Sequence, residues 1–120
     1  MTPEEFENII EQSLEKIPRQ IKDILKEKQI GIVARDKASS ELAQRNPGKV
    51  IFGAFIGNPY GRFYLADLQA EPTRIELYRE SFEMMFKKEE EINAQIERTV
   101  VHEIAHYLGF NEKQIRGLGY

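Results

Sequence analysis

From Ile92 onward an apolar residue returns at every fourth position, at Ile96, Val100, Ile104 and Leu108, until Gly109 ends the series. That spacing lays one stripe along a helix of 3.6 residues per turn, and a glycine just past the last apolar residue is a common helix stop. The predicted helix begins in the polar run Lys87-Lys88-Glu89-Glu90-Glu91 and is the longest element in the chain. At 120 residues the chain has material for one hydrophobic core, so residues 1–120 read as a single domain burying roughly two thirds of the surface of its unfolded chain. Whatever else folds must share that core with this helix.

The N-terminal part supplies a second amphipathic helix. Thr2-Pro3-Glu4-Glu5 is a capping box with proline at the first helical position, and Phe6, Ile9, Ile10, Leu14 and Ile17 form an apolar stripe before Pro18 interrupts it. Ile21, Ile24 and Leu25 predict a short helix, and residues 29–35 have the β-branched content of a strand. Residues 36–49 are polar and read as a loop, with a helical turn around Glu41-Leu42-Ala43-Gln44. A strand is expected over residues 50–56, then a turn over 57–61. Residues 74–79 alternate polar and apolar, as a strand with one solvated face does, and residues 81–86 read as helix. Met84 and Met85 are expected as core fillers.

Composition narrows the function. Hydrophobic residues make up 41% and charged residues 31%, the balance of a soluble globular protein. Seventeen Lys and Arg against twenty Asp and Glu give a net charge of -3 with no basic block, which disfavours nucleic acid as a partner. No apolar run approaches the roughly 20 residues that cross a bilayer, so no membrane partner is expected. The N-terminus lacks the pattern of an export signal, so a cytoplasmic location is expected. There is no cysteine, so any metal must be held by nitrogen and oxygen ligands.

The sequence has two histidines, His102 and His106, and they stand four apart on the long helix. Residues at that spacing share a face, so both imidazoles can converge on one ion. Glu103 follows the first histidine directly, in the HExxH position of a carboxylate that meets metal-activated water instead of ligating the metal. Val100, Val101, Ile104, Ala105 and Leu108 supply the apolar faces that would anchor the helix.

The run His102-Glu103-Ile104-Ala105-His106-Tyr107-Leu108-Gly109-Phe110-Asn111-Glu112 resembles the extended metzincin motif HExxHxxGxxH, in which glycine permits a sharp turn that returns the next ligand to the metal. Glu112 stands where that motif has its third histidine. The pattern is similar to that of short bacterial zincin-like metallopeptidases, in which an acidic residue, usually Asp, takes the third position. The resemblance covers most of the chain, including Thr99-Val100-Val101-His102-Glu103 and the ending Leu118-Gly119-Tyr120. It implies an α+β fold, a minimal zincin-like domain in which a small mixed β-sheet packs against the long HExxH helix and an N-terminal helix. It also implies Zn2+ as cofactor, His102, His106 and Glu112 as its ligands, Glu103 as general base, and a peptide or protein as substrate.

Two departures matter. Glu112 is one methylene longer than Asp, and no methionine follows the motif to form the methionine-containing turn of full metzincins. Glu112 also has a structural role open to it, since Asn111-Glu112 can cap a final short helix through Gln114-Ile115-Arg116. Two imidazoles and a carboxylate leave a coordination position open, the arrangement of catalytic zinc. Tyr107 and Tyr120 are near enough in sequence to be considered as stabilisers of developing charge, but are expected to pack as aromatics. An extended substrate would add to a sheet edge, and resemblance to the strand preceding the active helix in zincins points to residues 74–79 as the strand that provides it. The leading function is a zinc metallopeptidase; the alternatives are a metal-dependent RNA hydrolase and a non-catalytic, metal-stabilised interaction module.

Overall fold

The computed structural model describes residues 1–57 and 73–120. Helix α1 (Pro3–Lys16) starts at the expected capping box: Thr2 Oγ1 accepts from the Glu5 N–H at 3.1 Å, and the Glu5 carboxylate accepts from the Thr2 N–H at 3.2 Å. After Pro18 come α2 (Arg19–Glu27), strand β1 (Gly31–Arg35) and α3 (Ser40–Arg45). The last is longer than a single turn because Ser39 caps it, accepting from the Leu42 N–H at 3.1 Å. Strand β2 (Gly53–Ile56) occupies the second half of the expected strand, and apart from Gly57 the expected turn over 57–61 lies outside the described residues. Strand β3 (Arg74–Tyr78) leads directly into α4 (Arg79–Met85), followed by the long α5 (Glu89–Tyr107) and the short α6 (Glu112–Gly117).

The fold is α+β with a small mixed sheet in the order β1-β3-β2. β1 pairs parallel to β3, with Ile32 opposite Ile75, and β2 pairs antiparallel, with Ala54 opposite Glu76. The strand over residues 74–79, expected to offer an edge to substrate, is therefore central and paired on both sides. Its alternation correctly signalled one buried face, but alternation carries no information about how many neighbours a strand has. The edge lying against α5 belongs to β2.

One apolar core joins the sheet, α1 and α5, built from Phe6, Ile9, Ile10, Ile75, Leu77, Phe82, Ile96, Val100, Val101 and Ile104. A buried polar contact ties the two long helices together: the Ser13 hydroxyl hydrogen-bonds to the Asn93 side-chain oxygen and to the Ile9 carbonyl. Met84 and Met85 are not core fillers. They are 72% and 52% exposed, because α4 turns only Phe82 fully inward and its short length leaves both methionines on the outer side. No helix among the described residues is long and apolar enough to cross a membrane.

Gly53 sets the distance between β2 and α5. A Cβ there would lie 2.7 Å from the Glu76 carbonyl oxygen, 2.9 Å from Leu77 and 3.0 Å from the Thr99 methyl on α5. Since the nearest obstacle is backbone, Gly53→Ala is expected to cost about 1–3 kcal/mol through displaced packing, measured by urea unfolding against the wild type.

Candidate metal centre

α5 turns its apolar faces inward and leaves a polar stripe facing a cleft. Val100, Val101, Ile104 and Ala105 are fully buried, while His102 and Glu103 are half-buried and His106 is exposed. The two imidazole rings lie with centroids 6.1 Å apart and nearly perpendicular. The helix then stops in a Schellman turn. Gly109 takes a φ of 83°, its N–H donates to the His106 carbonyl, and the Phe110 N–H donates to the Ala105 carbonyl at 2.8 Å. This is the turn the glycine implied, and it brings the start of α6 back beside His106.

Capping and carboxylate are separate residues at that point. Asn111 is the N-cap of α6, accepting from the Gln114 N–H at 2.8 Å, and the Gln114 side chain returns the bond to the Asn111 N–H. Glu112 is the first helical residue and is not needed as the cap. Its Oε1 instead lies 3.1 Å from His106 Nε2. Ligand-type atoms of His102, His106 and Glu112 all lie within 4.8 Å of one another. A tetrahedral zinc site with bonds of about 2.0–2.1 Å places its ligand atoms roughly 3.3 Å apart, so the three residues have the donor chemistry that zinc requires and could hold it once the side chains draw closer than the 4.8 Å that bounds them here.

Glu103 lines the same cleft as the histidines, on the side of the sheet. Phe52 and Ala54 face β3 in its hydrogen-bonded register, as the Tyr78 N–H to Phe52 carbonyl bond of 2.9 Å shows, so the Phe55 N–H points away from β3, to the side of β2 that is unpaired among the described residues. That N–H donates to the Glu103 carboxylate. Burial pushes the Glu103 carboxyl above its ordinary range, while His106, the Phe55 N–H and His102 pull it back.

The cleft in front of these groups has a volume of about 360 Å³ and lies between Thr99, His102, Glu103 and His106 on α5 and the segment 49–53 leading into β2. Neither tyrosine considered from the sequence lines it. Tyr107 stacks on Phe55 with centroids 4.7 Å apart, and the Tyr120 hydroxyl lies 3.5 Å from Glu97. Sequence reading did not find the main-chain oxygen of Tyr120, 3.1 Å from His102 Nε2. This contact restrains the orientation of the His102 ring. Nor did it find the Phe55 N–H. Both are main-chain groups, to which no residue type gives a clue.

Tyr78, at the end of β3, is fully buried and donates to Glu76 Oε1 at 3.1 Å. Burial, with the Glu76 charge and hydrogen bond, pushes its phenol up to about 12. A raised pKa contributes stability that is complete below the ordinary value near 10 and is lost as pH rises toward 12. Tyr78→Phe is therefore expected to be the less stable protein at pH 8, with the gap closing by about 2 kcal/mol between pH 10 and 12 in urea unfolding. A gap that stays constant across that window refutes the assignment.

Zinc titration checks the donor set. Wild-type chain is expected to bind one equivalent, with affinity lowered at least about 100-fold in His106→Ala and about 10–100-fold in Glu112→Ala; an unchanged Glu112→Ala affinity excludes that carboxylate.

The sequence model of a family described as zincin-like metallopeptidase matches residues 28–120, which takes in every element from β1 to α6. No curated protein matches the chain.

Proposed function

The chain belongs to the zincin-like metallopeptidase family, and from that membership we propose that it is a zinc-dependent peptidase with His102, His106 and Glu112 as metal ligands and Glu103 as general base. The observation carrying the proposal is the convergence of these three donors within 4.8 Å, with the half-buried Glu103 carboxylate beside them in the same cleft. When bound, zinc supplies Lewis acidity that activates water near neutral pH and polarises a scissile carbonyl.

The chain's own residues do the rest. Glu103 is held by the Phe55 N–H and lifted by burial, so its carboxylate is a stronger proton acceptor than a solvated glutamate. It takes the proton of the attacking water and returns it to the leaving amine. Residues 49–53 form the wall opposite α5 and confine the substrate to the cleft. Tyr120, through its main-chain oxygen, holds the His102 ring. The substrate is a peptide or a protein segment, because an open cleft beside a strand edge accepts extended chain.

Incubation of zinc-loaded chain with a peptide library is expected to yield cleavage that a chelator abolishes. Glu103→Gln is expected to retain zinc and to lose at least about 100-fold in rate. Stoichiometric zinc in wild-type chain with no cleavage of any peptide refutes the peptidase reading.

A further inference from the structure

The cleft has a charged flank that the proposed chemistry does not use. Lys49 lines one wall and Arg98 the other, and among the described residues neither forms an ion pair. Among the described residues the carboxylate lining the cleft is Glu103, which is engaged with Phe55 and the histidines. Four other arginines, Arg35, Arg45, Arg74 and Arg79, meet carboxylates, whereas Arg98 keeps its charge for the cleft it lines. In a chain whose net charge is -3, two uncompensated cations facing each other across a cleft leave a site complementary to negative charge.

Its position is set by the helix. Arg98 lies one turn before His102 on the same face, about 6 Å along the axis at 1.5 Å per residue. An extended peptide advances about 3.3 Å per residue, so a substrate side chain opposite Arg98 belongs to a residue about two positions from the bond held at His102. Arg98 brings a planar fork suited to a carboxylate, and Lys49 a mobile ammonium on the facing wall.

We propose that Lys49 and Arg98 form a cationic subsite that selects an acidic side chain about two residues from the scissile bond, making acidic peptides the preferred substrate class. This rests on the peptidase reading, and the test separates the two. Zinc-loaded Glu103→Gln chain is titrated with fluorescent decapeptides that carry Glu, Gln or Lys at matched positions. Binding is expected to favour Glu over Gln by about tenfold. Adding Lys49→Glu and Arg98→Glu is expected to abolish that preference and shift it toward Lys. Lys26→Glu with Lys87→Glu, the same change in net charge at exposed positions outside the cleft, is expected to leave it intact.

Three results overturn the subsite: no preference for Glu, a preference that survives reversal at Lys49 and Arg98, or a single-stranded RNA oligonucleotide binding the cleft more tightly than the acidic peptide. Wild-type chain digesting the library gives the second arm. Acid-selective binding with no cleavage upholds the subsite and sinks the peptidase. Cleavage with no acidic enrichment within three residues of the cut does the reverse.

Discussion

A helix can aim two imidazoles at one point only if its backbone cannot roll, and here the rest of the molecule serves that constraint. Ile96, Val100, Val101, Ile104 and Ala105 lose all exposure against α1 and the sheet. Each large side chain so buried contributes about 1.5–3 kcal/mol, so rotating α5 enough to misdirect His102 would expose several at once. The contact between Ser13 and Asn93 adds direction to this grip, because a hydrogen bond in an apolar interface is satisfied in one register and costly in others. The family match begins at residue 28, after α1, yet Phe6, Ile9 and Ile10 of α1 belong to the core that holds α5. In this chain the histidine-bearing face of α5 depends on a helix outside the matching region.

The second support is β2. Because Gly53 has no side chain, the strand sits against Thr99 and Glu76 at distances no other residue permits. That closeness brings the Phe55 N–H within reach of Glu103. The carboxylate is then under opposing influences, lifted by burial and restrained by one backbone donor and two imidazoles. A carboxylate buried without those partners would hold its proton and accept none, whereas one left in water would have no reason to stay beside the two histidines.

What the sequence made legible follows from how local each cause is. The capping box at Thr2 and the stop at Gly109 depend on neighbours a few residues away, and both are found where the residues indicated. The α+β class, the HExxH face and the return of Glu112 toward His106 were readable for the same reason. Sheet order was not, since residues 74–79 have the same alternation as an edge or a centre, and only pairing with both β1 and β2 decides it. Met84 and Met85 failed as core residues because apolarity does not say which side of a short helix faces inward. Neither Arg98 nor Lys49 was singled out from the sequence, and Lys49 reaches the cleft through a loop whose path no periodicity encodes.

The contested residue at the site was Glu112, and its neighbour takes over the capping role. A carboxylate engaged in capping would be turned toward the N–H groups of α6. Asn111 and Gln114 already satisfy that end of the helix reciprocally, so the Glu112 side chain is released from the duty its position suggests. The extra methylene relative to Asp then becomes useful, because Glu112 starts its approach from the first turn of a new helix and must reach back across Gly109 to His106. A shorter side chain on the same backbone would stop short unless α6 moved inward. The lengthened acid and the asparagine cap thus read as one local solution, in which α6 is anchored by one residue so that the next can face the histidines.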